Sequence, residues 1–239
     1  SSGNSYVIQN DTECIVLEVG VKFGLIQKAV DYNISKINGI LLSHEDSDHS
    51  LSVSYALNLG IDVYSSEGTF RALGVQHHRA KAIQPETKFK IGGFTVKSFD
   101  VVHDAAQPFG YLVHHADMGT LLFLTDTHYI PYVFKNINHY LIEANYSESI
   151  LNEKLDNEQV NLHLRNRIIT AHMSFETCKE FLKNSNLNDT LNIVLIHLSD
   201  SNSDERKFKQ EMTEMTGIAT HIAETELKMK TVNITFKIL

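Results

Sequence analysis

The run His44-Glu45-Asp46-Ser47-Asp48-His49 sets two imidazoles among three carboxylates. It follows an apolar stretch, Gly39 to Ser43, and precedes a helix-like segment that begins near Ser50. In extended backbone, residues two apart project to the same side. His44 and Asp46 can therefore reach one metal ion, while Asp48 and His49, at the turn into the helix, reach a second. Imidazole combined with carboxylate suits Zn, Mn or Fe rather than Ca. A solvated acidic loop is the plainer alternative, but it does not explain two histidines among the acids directly after an apolar strand.

The ends of other apolar strands carry the same residue types. Phe94 to Val102 delivers His103, Thr120 to Thr125 delivers Asp126, and Asn192 to Ile196 delivers His197. Sites in sheet proteins favour strand ends, where loops converge on a rigid scaffold. One such histidine is usually structural; four strand ends carrying metal-type ligands form a pattern. Further candidates are weaker. His128 follows the Asp126 turn, Glu143 ends a strand, and His114-His115 reads as a strand end. His77-His78-Arg79, with Arg71 and Lys81, reads as an exposed loop more readily than as a nucleic-acid footprint.

The elements that must position these residues alternate in type. Tyr6-Val7-Ile8 reads as the second half of a hairpin whose first strand lies upstream of residue 1, and Cys14 to Val19 as a strand closed by Gly20. Phe23, Ile26 and Val30 have helical spacing over 22–32. Leu51, Tyr55 and Leu59 predict one apolar side for the next helix, with Gly60 just past its end and a strand from Ile61 to Tyr64. Phe89 to Phe99 reads as a hairpin around Gly92-Gly93, and 110–113 and 121–124 continue a sheet without helices between. Alternation then returns, with a strand over 140–143, helices near 147–155 and 162–169, and a helix capped by Ser174 that carries Phe175, Cys178 and Leu182 on one side. A strand over 192–198 and a helix starting at Ser203-Asp204-Glu205 follow. The last segment places Val232, Ile234, Phe236 and Ile238 on one face.

Composition bounds the class. The 239 residues are 42% hydrophobic, enough for a substantial core, and no linker or repeat divides them, so one domain over 1–239 is expected. No apolar run approaches the roughly 20 residues needed to span a bilayer, and no membrane partner is expected. Two isolated cysteines, Cys14 and Cys178, give no disulfide framework and suit a reducing cytoplasm. The formal net charge of −8 argues against a generally DNA-coating surface without excluding a local basic patch.

The ordered motifs carry a family resemblance. Gly39-Ile-Leu-Leu-Ser-His-Glu-Asp-Ser-Asp-His49, Val102-His103-Asp104, Leu124-Thr125-Asp126-Thr127 and Ile196-His197-Leu198 together resemble the metallo-β-lactamase superfamily of metal-dependent hydrolases. Within it, Ser1 to Ser5, His103-Asp-Ala-Ala106, Glu143-Ala-Asn-Tyr146 and His197 to Ser203 look like the YycJ (WalJ) branch of bacteria and phages. The resemblance extends to about Ile222, so the strand after Glu224 stands outside it. It implies an α/β fold, the four-layer αββα sandwich of two mixed sheets flanked by helices. It also implies two divalent metal ions, Zn or Mn: one held by His44, Asp46 and His103, the other by Asp48, His49 and His197, with Asp126 bridging. Relatives usually have histidine where this chain has Asp46, whose harder oxygen and extra charge favour Mn²⁺.

The expected chemistry is hydrolysis by a water activated between the ions, with Asp48 orienting it or taking its proton. Ala171-His172-Met173-Ser174 resembles the phosphate-contacting run of RNase Z relatives. His172 is thus a candidate for phosphate contact or leaving-group protonation, with Ser174 and the helix start behind it as anion donors; a simple helix cap beside an exposed histidine is the alternative. Arg165 and Arg167 are candidate phosphate steerers, and Glu143 is expected to support the site or the fold. The leading reading is a phosphodiesterase acting on nucleic acid, DNA in particular, as an exonuclease. A hydrolase of a cyclic nucleotide, lactone or thioester and a non-catalytic metal-binding protein are the alternatives.

Overall fold

The computed structural model describes residues 3–223, 227–230 and 233–239. The expectations placed on Ser1, Ser2 and Val232 lie outside these residues. Among the described residues the strands form two seven-stranded mixed sheets, and the chain divides into two units, each assembled from separated segments.

The first unit comprises 1–100, 105–119 and 224–239. In chain order it contains β1 (Tyr6–Gln9), β2 (Cys14–Leu17), α1 (Phe23–Ala29), β3 (Ile37–Leu41), α2 (Ser47–Ser50), α3 (Val53–Asn58), β4 (Val63–Ser66), α4 (Glu67–Ala72), β5 (Ala80–Ile83), β6 (Lys88–Ile91), β7 (Phe94–Asp100) and β8 (Phe109–His115). β6, β7 and β8 pair antiparallel, as the alternating run around Gly92-Gly93 predicts. Parallel pairing aligns β2, β3, β4 and β5, so their C-terminal ends share one edge. Val7, Val16, Ile40 and Val63 on the strands bury a common core with Phe23 and Ile26 of α1, Val53, Ala56 and Leu57 of α3 and Phe70 of α4.

The helical segment expected from Ser50 starts earlier, at Ser47, and breaks into α2 and α3. Its apolar side also differs from expectation. Leu51, Tyr55 and Leu59 are exposed, and Val53, Ala56 and Leu57 face the core instead. Both rows have helical spacing; packing chooses the row with the smaller side chains. Gly60, at φ +85°, ends α3 as expected.

The second unit comprises 101–104 and 120–223. Following β9 (Gly119–Leu124), it holds β10 (His139–Glu143), α5 (Glu148–Asp156), α6 (Leu162–Ala171), α7 (Phe175–Lys183), β11 (Asn192–Ile196), α8 (Glu205–Thr216) and β12 (Ala219–Ile222). β9, β10, β11 and β12 are parallel neighbours. β10 is buried along its whole length and β11 nearly so, the continuous burial of parallel strands covered on both faces. Ser174 caps α7 by accepting a hydrogen bond from the Thr177 amide, a contact typically worth ~1 kcal/mol. Phe175, Cys178 and Leu182 are buried as expected, and Phe175 stacks on Phe208 of α8 with ring centroids 4.0 Å apart. Each large apolar side chain so buried contributes roughly 1.5–3 kcal/mol.

The chain closes in the first unit with β13 (Lys228–Lys230) and β14 (Thr235–Ile238). β14 pairs antiparallel with β1, matching Ile238 to Tyr6. Ile234, Phe236 and Ile238 are buried, so the strict alternation there reads correctly. Cys14 and Cys178 are free and buried, and burial pushes the Cys14 thiol up to about 12.

Candidate functional site

In the first unit, β3 ends on Leu41 and passes through buried Leu42 and Ser43 to His44. Glu18, fully buried at the end of β2, accepts the Ser43 amide at 3.0 Å and lies 3.5 Å from His49 Nδ1. His44 Nδ1 is 2.7 Å from Ser43 Oγ, and its Nε2 is 3.7 Å from Asp46 Oδ2. Asp48 Oδ2 sits 3.6 Å from His49 Nε2 and accepts from Asn4 Nδ2 at 3.3 Å. The two imidazoles pack with centroids 4.2 Å apart. Their chain path demands glycine at 20: a Cβ there would stand 1.6 Å from the Asp48 carbonyl oxygen.

In the second unit, strand register does the positioning. Ile142 pairs with Leu124, and Glu143 with Ile196, so Asp126, Glu143 and His197 emerge side by side where β9, β10 and β11 end. His172 follows α6, whose last turn its amide closes onto Ile168. Glu143 is the hub. Its Oε1 lies 2.8 Å from His172 Nδ1 and 3.0 Å from His197 Nδ1, and its Oε2 accepts the Thr127 and Met173 amides, each at 3.0 Å. Asp126 Oδ2 is 3.8 Å from His172 Nδ1 and 3.9 Å from His103 Nε2; its Oδ1 is 3.3 Å from His197 Nδ1. His103 Nδ1 lies 2.9 Å from the Ala171 carbonyl. That oxygen can only accept, so it holds the proton on Nδ1 and presents the Nε2 lone pair towards Asp126.

Electrostatics follow from burial and pairing. Burial alone opposes charge on His172, but the Glu143 carboxylate and the hydrogen bond to it outweigh burial and hold the imidazole above its ordinary value. Burial likewise pushes Glu143 up, and the charge and hydrogen bond of His172, with the bond from His197, bring it below the ordinary carboxylate value. Asp126 and His197 adopt φ of 29° and 55°, and Glu18 of 61°. Non-glycine residues hold such backbone only where their surroundings impose it, commonly at functional sites.

The donor set fits divalent metal. Asp126 and His197 offer ligand atoms within 4.8 Å of one another, in a group that Glu143 and His172 complete. A carboxylate on Nδ1 of a histidine, turning Nε2 outward, is the support that metal-binding imidazoles usually have. Residues 23–197 match the profile of the β-lactamase superfamily domain. The chain belongs to the metallo-β-lactamase superfamily. Metal-dependent hydrolase is accordingly its class, and two mixed sheets flanked by helices are the fold of that superfamily. The chain is 27% identical to the exodeoxyribonuclease YycJ of Bacillus anthracis, over 97% of its own length and 94% of the relative's. Among solved structures it is similar to the metallo-β-lactamase fold protein YhfI from Bacillus subtilis, with TM-score 0.70 and 16% identity over 94% of this chain and 89% of that one. It is also similar to a diphosphatase of the PhnP family, with TM-score 0.65 and 14% identity over 95% and 83% of the two chains.

Of the residues singled out from the sequence of this superfamily member, His44, Asp46, Asp48 and His49 gather in the first unit, and His103, Asp126, His172 and His197 in the second. Ser174 spends its hydroxyl on its cap and on Glu148, 3.0 Å away. Arg165 is tied to Asn152 of α5 at 2.8 Å and 3.0 Å, and Arg167 is exposed. Sequence reasoning missed Glu18 and Asn4. Glu18 carried a readable signal, a carboxylate at the end of an apolar strand; Asn4 lay within the Ser1 to Ser5 run, but its contact with Asp48 lies 44 positions away and leaves no local pattern. No helix among the described residues is long and apolar enough to cross a membrane.

Proposed function

We propose that this chain is a phosphodiesterase acting on nucleic acid in the cytoplasm, a DNA exonuclease in kind. The observation that carries the proposal is the Glu143–His172 pair beside Asp126, since phosphodiester cleavage needs a proton donor for the departing oxygen close to a metal ligand. The similarity to an exodeoxyribonuclease supports the choice of DNA. Two divalent ions, Zn²⁺ or Mn²⁺, when bound to the imidazoles and carboxylates of the two clusters, supply an activated water and neutralise charge on the phosphoryl oxygens. The proposed ligands are His44, Asp46, Asp48, His49, His103, Asp126 and His197.

The chain's own groups do the rest. Asp48, steadied by Asn4, orients the attacking water or takes its proton. Glu143 fixes the Nδ1 proton of His172 and so leaves Nε2–H as the donor to the leaving oxygen. His197 shares the same carboxylate, which fixes its orientation also. Arg167 is the proposed phosphate contact.

The test sets purified protein, loaded with Mn²⁺ or Zn²⁺, against labelled duplex and single-stranded DNA, bis-(p-nitrophenyl) phosphate, a cyclic nucleotide and a thioester. DNA ends should be trimmed fastest. His172→Ala should lower phosphodiester cleavage by roughly 100-fold or more at nearly unchanged metal content. Loss of metal in that variant would assign His172 to ligation instead, and turnover of the thioester alone would overturn the substrate class.

A further inference from the structure

Far from His44 and His49, a cavity of about 450 Å³ is bordered by Lys36, Lys228, Lys230 and Lys237, with Asn10 and Thr12 among its polar neighbours. It lies at the opposite end of the sheet from His44. Gln9 pairs with Cys14, and Cys14 with Ile37, so the cavity sits where β2 and β3 begin, whereas His44 follows the end of β3. Eight residues of extended chain between Lys36 and His44 span roughly 25 Å.

Charge is the unusual feature. The chain carries a net −8, and elsewhere lysines meet carboxylates, as Lys179 meets Glu211 at 2.6 Å. Among the described residues, none of the four cavity lysines is ion-paired. Lys36 donates to Gln9 Oε1 at 2.9 Å and Lys237 to the Ala29 carbonyl, both neutral acceptors. Asp11, Asp31 and Asp117 also border the cavity, so its lining is net positive by one charge on a chain that is net negative. Gathered ammonium groups repel one another, and an anion placed among them relieves the repulsion. Lysine serves phosphate as a point charge, and the cavity volume suits a small molecule.

A second groove shares two of these lysines. Lys228 and Lys237 also border a space of about 220 Å³ lined by Leu25, Ala29, Ile238 and Leu239. A ligand holding its anion among the lysines can therefore lay an apolar body on that surface. We infer that this paired cavity binds a phosphate monoester or diester carrying an apolar group, as a nucleotide does, at a site separate from the proposed metal ligands. The strands that build it, β13 and β14, lie outside residues 23–197 that match the family profile.

The experiment measures binding by calorimetry in excess EDTA, so that no metal-bound phosphate contributes. The probes are inorganic phosphate, deoxyadenosine monophosphate, deoxyadenosine and an oligothymidylate of about twelve residues. Deoxyadenosine monophosphate should bind more tightly than phosphate, and deoxyadenosine should not bind measurably. Lys228→Ala/Lys230→Ala, both exposed positions, should weaken the monophosphate by at least about tenfold, some 1.4 kcal/mol, with an unchanged thermal melt. Should that double variant fail to fold, Lys230→Glu is measured in its place. Binding of the oligonucleotide as well would make the source a nucleic-acid strand, and binding of the mononucleotide alone would make it a free nucleotide; both outcomes uphold the site. Equal affinity for deoxyadenosine and its monophosphate, no binding of either, or an unaffected variant would overturn it.

Discussion

Glu143 makes four close polar contacts from a fully buried carboxylate, and its value lies in what it does to two histidines. Glutamine keeps the shape but cannot accept from both imidazoles with a full charge. Glu143→Gln should therefore lower metal affinity or activity by roughly 10- to 100-fold, and a near-normal enzyme would show that the pair is only structural. Its pH signature can be derived from the two shifts. His172 is raised above its ordinary 6.5, so its contribution to stability is complete below that value and disappears as pH rises through the folded value. Glu143 is lowered from 4.5, so its contribution is present above that value and disappears as pH falls through the folded one. In chelated protein, the difference in urea midpoint between parent and Glu143→Gln should be largest between about 4.5 and 6.5 and shrink on the alkaline side. A difference that grows above pH 8 would contradict the pairing. Much of this residue level was legible: asking which residues follow apolar strands returns His44, His103, Asp126 and His197, and would have returned Glu18 had it been asked of β2. Asn4 lay within a quoted run, but its role beside Asp48 was not legible, because a hydrogen bond across 44 positions leaves no local pattern.

At the scale of elements, the sequence shows strands better than it shows which face of a short helix is inside. The parallel strands β3, β10 and β11 stand out because burial on both faces makes them continuous apolar runs. α4, β5 and β12 escaped notice, being four to six residues long, too short for a period to declare itself. In α3, two apolar rows compete, and only packing selects Val53, Ala56 and Leu57 over Leu51, Tyr55 and Leu59. Docking of the α2 turn depends on the chain leaving β2. Gly20→Ala would drive a methyl into the Asp48 backbone, with 1.6 Å to its oxygen and 2.2 Å to its carbon, and neither atom can swing aside like a side-chain tip. The expected cost is about 1–3 kcal/mol or more, together with weaker metal uptake, because Asp48 and His49 ride on that turn. Gly24→Ala in α1 is the control, since nothing lies within 4 Å of its added carbon; removing a helical glycine should be neutral or stabilise by roughly 0.5–1 kcal/mol. Thermal melts and metal counts of the two variants side by side decide the matter, and equal behaviour would mean the turn moves freely.

For the whole molecule, metal binding is part of the folding free energy if the proposed ligands hold the ions, because they come from segments 44–49, 103, 126 and 197 that only folding organises. An ion bound to the folded chain alone adds RT ln(1 + [M]/Kd), about 2.7 kcal/mol at a hundredfold excess over Kd, so the shift in melting temperature reports affinity without any need for turnover. Under the proposed ligation, Asp46 bears on which ion benefits most. Its carboxylate is about half exposed and stands 3.7 Å from His44 Nε2, and it offers charge and a hard oxygen where a histidine would offer a neutral nitrogen. Zn²⁺ outranks Mn²⁺ at almost any site of nitrogen and oxygen ligands, but the margin narrows as oxygen replaces nitrogen. The extra stabilisation by Zn²⁺ over Mn²⁺ should thus be smaller in the parent than in Asp46→His, and activity in Mn²⁺ should at least equal that in Zn²⁺ for the parent. The measurement is a melting curve for each protein with each ion at several concentrations, against a chelated baseline, with bound metal counted per chain. If Asp46→His leaves the margin and the count unchanged, Asp46 does not ligate, and the ion beside His44 is held without it.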